Sequence, residues 1–221
     1  MISKPVLDFL SELQLNNNRE WFAENKARFE EHQKAFKTFL QEINAAFAAH
    51  DSIEKMQIHR IYRDIRFSKD KTPYKNNLSV SFDRTKPYLR GGYYLHIQPQ
   101  ASFIGGGFWE PNAEDLNRIR KEFELDDSYI RSIIAEKNFS QAFGTLQGQE
   151  LKTAPKGFDK EHPAIDLIRK KQYLVYRRFS DKEVLDKNFK EEILHTFLAM
   201  RPFFDYMSDV LGTNLNGESL Y

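Results

Sequence analysis

The chain has 221 residues and no cysteine, with 33 Lys and Arg against 32 Asp and Glu for a formal net charge of +1. Without cysteine there are no disulfides, no thiolate chemistry and no Cys-ligated zinc. Near-neutral charge disfavours the broad basic face of a non-specific nucleic-acid binder, and no apolar run approaches the roughly 18 residues of a membrane span.

The first ten residues are too few and too broken by charge for a signal peptide, so a reducing cytoplasm is the expected location. Pro5 to Leu15 places Val6, Leu7, Leu10 and Leu13 on one side, a short helix with proline near its start. Asn16-Asn17-Asn18 breaks it and offers an N-cap for the next. From Arg19 to about Ala49, Phe22, Phe29, Phe36 and Ile43 recur every seven residues with Leu40 and Phe47 beside them. That is a long amphipathic helix packed on a core; Lys26 and Gln33 interrupt the seam a coiled coil would need.

Residues 58–77 concentrate positive charge. Arg60, Arg63, Arg66, Lys69, Lys71 and Lys75 face only Asp64 and Asp70, six cations against two anions, an excess of four. Ile61, Tyr62, Ile65, Phe67 and Tyr74 are interleaved, which marks a folded segment rather than a solvated basic tail. The β-branched and aromatic content of its first half favours a strand over a helix. A strand would put Arg63 between Ile61 and Ile65 on the buried face, where a guanidinium needs a carboxylate partner. From Phe67 to Lys75 the segment reads as a loop, because Pro73 lacks a donor and Ser68 and Asp70 are turn formers.

Leu78, Val80 and Phe82 then alternate with Ser79, Ser81 and Asp83, and Tyr93, Leu95 and Ile97 with Tyr94, His96 and Gln98. These are half-buried strands, and their one polar face suits an antiparallel sheet. A further strand, Ser102 to Phe108, carries Gly105, Gly106 and Gly107. The glycines mark a bulge or close backbone approach, or else a nest of amides able to seat an anion. Helices follow at Pro111 to Phe123 and Asp127 to Glu136. Residues 138–163 are rich in breakers, with room for short helices and with Lys152, Lys156 and Lys160 as a second basic contribution. Tyr173 to Arg178 is the last strand, and Phe189 to Leu211 is a C-terminal helix kinked or split at Pro202. The expected fold is therefore α+β, an antiparallel sheet packed against long N-terminal and C-terminal helices in a single domain.

The run Arg60-Ile61-Tyr62-Arg63-Asp64-Ile65-Arg66-Phe67-Ser68-Lys69-Asp70-Lys71-Thr72-Pro73-Tyr74-Lys75 resembles the hallmark of a microbial family of conserved hypothetical proteins, a domain of unknown function. Asn16 to Phe22, Gly92 to Ile97 with Gly105 to Trp109, and Ala154 to Phe158 with His162-Pro163 are similar to the same family. The resemblance spans nearly the whole chain and implies one complete, usually free-standing domain. It implies no catalytic residue.

Chemistry is weighed on the residues alone. The six histidines have no paired spacing, so no metal site is expected. His96, on a strand's polar face, is the acid/base candidate, with a surface histidine as the alternative. Asp64 and Asp70 are candidate catalytic carboxylates or, more simply, partners of neighbouring cations. The leading expectation is a site for a phosphorylated or carboxylated small molecule. Arg60, Arg63, Arg66, Lys69, Lys71 and Lys75 would hold the anion, with Ser68, Tyr74 and the Gly105–Gly107 amides nearby. Three alternatives stay open. They are a hydrolase or transferase acting on such a ligand, a nucleic-acid or protein-binding module, and a structural network in which Arg60, Arg63 and Arg66 pair with acids and lock the sheet.

Overall fold

In the computed structural model, which describes residues 1–221, the N-terminal third is helical. Helix α1 (Lys4–Leu15) has its proline in the first turn and buries Val6, Leu7, Phe9, Leu10 and Leu13. The expected long helix is interrupted once: α2 (Arg19–Glu24) ends at Asn25, and α3 (Lys26–Phe47) follows directly. Asn18 caps α2, its side chain accepting the backbone N–H of Trp21 at 2.9 Å. The seven-residue repeat is buried throughout, from Phe22 to Ile43, with Leu40 and Phe47.

Strand β1 (Ile53–Ile58) comes next, then β2 (Leu78–Arg84), β3 (Gly92–Ile97) and β4 (Ser102–Phe108). Helices α4 (Ala113–Leu125), α5 (Ser128–Ala135), α6 (Lys137–Phe143) and α7 (Ile165–Ile168) precede β5 (Tyr173–Phe179). Helix α8 (Asp181–Val184), closed by a Ser180–Glu183 capping box, leads into α9 (Phe189–Gly212). The five strands form one antiparallel sheet in sequence order, β1-β2-β3-β4-β5, giving the expected α+β fold. Helix α9 continues through Pro202 without a break in its assignment.

The chain forms two compact units. One comprises 1–82, 94–104 and 178–195, the other 83–93, 105–177 and 196–221. No linker separates them along the chain. In the first, Phe9, Phe22 and Phe29 cluster, and Phe39 of α3 stacks on Phe189 of α9 with ring centroids 6.4 Å apart. In the second, Tyr93 of β3 packs on Phe197 and Phe204 of α9, and Phe123 of α4 on Tyr173 of β5. The fully buried Arg84 bonds Asp205 and reaches Ser208 at 3.3 Å, satisfying a charge that could not otherwise be buried.

The expectation for the cationic stretch is corrected. The strand lies at Ile53–Ile58, ahead of the cationic stretch, and residues 61–67 do not continue it. Within that stretch only Tyr62 is paired, in an antiparallel bridge to Tyr74. Arg63 N–H to Pro73 O at 2.9 Å and Lys75 N–H to Ile61 O at 2.8 Å complete a short stem. The turn chemistry of Ser68, Asp70 and Pro73 thus prevails over the β propensity of Ile61 to Phe67. Helix α6 is one of the short helices for which the 138–163 segment had room.

Candidate anion-binding site

Strand alternation positions this site. In β2 and β3, Val80, Phe82, Leu95 and Ile97 point to one face and are fully buried. Ser79, Tyr94 and His96 point to the other, where the stem of residues 59–77 lies beside them. Two devices hold that stem. His59 donates its backbone N–H to Ser79 O at 2.9 Å, prolonging the β1–β2 pairing by one rung. Asn17, between α1 and α2, brackets Tyr74: its amide donates to Tyr74 O at 2.9 Å and its carbonyl accepts from Tyr74 N at 3.0 Å. Phe22 stacks on the Tyr74 ring with centroids 4.0 Å apart.

Between stem and strands is a cleft of about 530 Å³. Its walls are His59, Arg63, Lys75 and Asn77 from the stem, Ser79 from β2, and Tyr94 and His96 from β3. No carboxylate lines it. Lys75 is part-buried and forms no ion pair; burial, then Arg60 and Arg63, hold its ammonium below the usual lysine value. Arg63 gives one N–H to Asp70 and keeps further donors on its fork.

The polar strand face is wired in series. Ser79 bonds the Tyr94 phenol, which is pushed up by burial. The phenol lies 3.2 Å from His96 Nδ1, and His96 Nε2 lies 2.9 Å from Gln98 Oε1. Because an amide oxygen only accepts, Nε2 carries the proton and Nδ1 takes the phenol's hydrogen. His96 is stacked on Phe103 at 4.8 Å. Burial, opposed by Gln98 and aided by Lys75, lowers its pKa and leaves it neutral near pH 7. A second histidine, His59, bonds Ser81 at 3.1 Å.

Of the residues singled out in the sequence, Arg63, Lys75 and His96 meet in this cleft. Arg66 is turned to solvent and held by Asp64 through two bonds, Nε at 3.0 Å and Nη2 at 2.6 Å, which puts the Asp64 carboxyl well below the usual range. Lys71 donates to Ile65 O at 2.8 Å, and Asp70 binds Thr72 and Arg63. Ser68 and Lys69 lie in the same turn, outside the lining, as does the buried Tyr74. Arg60 lines a neighbouring cleft and helps to lower the Asp64 carboxyl through space.

Gly105, Gly106 and Gly107 belong to the other unit, and close packing accounts for each. A Cβ would come within 2.9 Å of Tyr176 at Gly105 and within 2.8 Å of Met200 and Phe204 at Gly106. At Gly107, where φ is +130°, it would come within 2.1 Å of Tyr173 O. His59, Asn77 and Asn17 are not among the site residues expected from the sequence. The polar residues alternating with Val80 and Leu95 were the available signal for the strand side; nothing local marks the stem side.

The fold and this cleft describe an α+β protein with a cationic, carboxylate-free recess beside the polar face of its sheet. No helix is long and apolar enough to cross a membrane, and no group of three or more His, Asp or Glu is placed to hold a metal ion. Residues 5–206 match the family described as conserved hypothetical protein (DUF2461), and the chain belongs to that family. Neither the curated proteins nor the solved structures searched contain a match to it.

Proposed function

We propose that this protein binds a small molecule through a phosphate or carboxylate group seated in the cleft between the 59–77 stem and strands β2 and β3. One observation carries the reading: Lys75 is part-buried with no counter-ion while Arg60 and Arg63 raise the local positive potential. An anion would relieve that repulsion, and burial would strengthen the contact relative to one in open water. Lys75 supplies a point charge and Arg63 a directional fork. Asn77 and the Tyr94 hydroxyl are further donors, and neutral His96 holds the phenol's orientation. The absence of cysteine and of a membrane-spanning helix suits a ligand drawn from cytoplasmic metabolites.

The test is calorimetric titration with inorganic phosphate and with a small dicarboxylate at fixed ionic strength. Lys75→Ala should weaken binding by roughly tenfold or more. Arg66→Ala, whose side chain is already committed to Asp64 outside the cleft, should match the parent protein. Equal losses in both variants, or no binding by the parent, would remove the proposal.

A further inference from the structure

A second recess, of about 610 Å³, lies between helix α3 and the edge strand β1. It shares His59 with the first cleft, but its strand residues belong to the opposite sheet face. His59 pairs with Ser79, so Met56 and Ile58 alternate onto the side of Val80 and Leu95, away from Tyr94 and His96.

The same pairing fixes where the hydrogen-bonding groups of the strand point. In an antiparallel pair the N–H and C=O of successive residues turn to opposite edges. His59 turns its N–H to β2, and Gln57 and Lys55 follow it. Met56 and Ile58 therefore present theirs to the outer edge, where β1 has no neighbouring strand and no loop or side chain bonds them. The same two residues offer open backbone groups and half-buried apolar side chains.

The facing wall is helical. Gln33, Lys34 and Lys37, with Glu30 one turn earlier, share one face of α3. Glu30 sits 3.7 Å from Lys26, whereas Lys34 and Lys37 form no ion pair. Arg60 adds a cation that Asp64 shares through space. Glu54 lies on the same strand but outside the recess.

A groove between an edge strand and a helix can take an extended peptide as an added strand; main-chain bonds give affinity and alternate side chains give selectivity. We propose that β1 and α3 bind an acidic peptide segment in this way, its apolar residues over Met56 and Ile58 and its carboxylates against Lys34 and Lys37. A small anion would leave the open backbone groups unused, and a basic segment would meet like charge on the helix wall. The site is independent of the anion seat.

The test pans the full chain against a random linear heptapeptide library, then titrates the enriched peptide and follows amide hydrogen exchange. Enriched sequences should alternate apolar with polar residues and carry an excess of Asp and Glu. The bound peptide should slow exchange at Met56 and Ile58 and leave Lys55 and Gln57, already paired with β2, unchanged. The exposed double variant Lys34→Ala/Lys37→Ala should bind it roughly fivefold more weakly, with circular dichroism confirming its fold. Lys75→Ala, in the other cleft, should match the parent. Failure to enrich any peptide, a basic or non-alternating consensus, or protection elsewhere would overturn the proposal. Self-association that protects Met56 and Ile58 without peptide would assign the edge to a second copy and overturn it as well.

Discussion

A single histidine carries the clearest pH signature. His96 is half-buried against Phe103 and bonded to Tyr94 and Gln98, and its pKa in the folded protein lies below the ordinary 6.5. As pH falls, the unfolded chain therefore takes up the proton first, and folding stability is lost below about pH 6.5 while remaining intact above it. His32 on α3 is lowered by burial as well and adds a slope of the same sign. Urea midpoints at about pH 7.5 and 5.5 should show a clear acid loss in the parent. In His96→Gln that loss should shrink to the part owed to His32. Equal acid losses in the two proteins would mean that His96 is not held neutral.

At the level of elements, what matters is how a charged segment without regular structure is kept in place. The 59–77 stem has one bridge of its own, so its position depends on Asn17 and Phe22. Removing the two Asn17 bonds should cost about 2 kcal/mol at a net value near 1 each. Asn18→Ala removes only the cap of α2 and should cost about 1 kcal/mol. The two variants should differ more in ligand affinity than in stability, because Tyr74 carries Lys75 as its neighbour. Denaturant melts give the first comparison and phosphate titration the second. Asn17→Ala with unaltered phosphate affinity would show that the cleft does not depend on this clamp.

For the whole molecule, the relevant quantity is the contrast between a net charge of +1 and the local excess of positive charge on residues 58–77. Steering by the overall field is weak, so binding should depend on the nearest cations. These are partly exposed and open to screening, with a Debye length of about 8 Å at physiological salt. Phosphate affinity of the parent should fall severalfold between about 50 and 300 mM NaCl, and the fall should be shallower in Lys75→Ala. Titration across that range measures both. Identical salt slopes would place the bound anion away from Lys75.

Periodicity made most of the fold legible in the sequence. Alternation marks β2 and β3, and apolar residues recurring on one side mark α1, α3 and α4, because each is a local consequence of one buried face. Strand β1 escaped because none of its residues is buried along the sheet edge, and Lys55 and Gln57 blur its alternation. The cationic run marks a local concentration of positive charge, yet charge counted along the chain does not reveal which charges cancel. Asp64 and Asp70 fold back on Arg66 and Arg63, leaving Lys75 without an ion pair. The opposite wall of the cleft comes from Ser79, Tyr94 and His96, on strands that meet the stem only after the sheet has formed. Local pattern decides which face of a segment is apolar. Ion pairing and cavity walls depend on distances through space, and only the tertiary structure sets those.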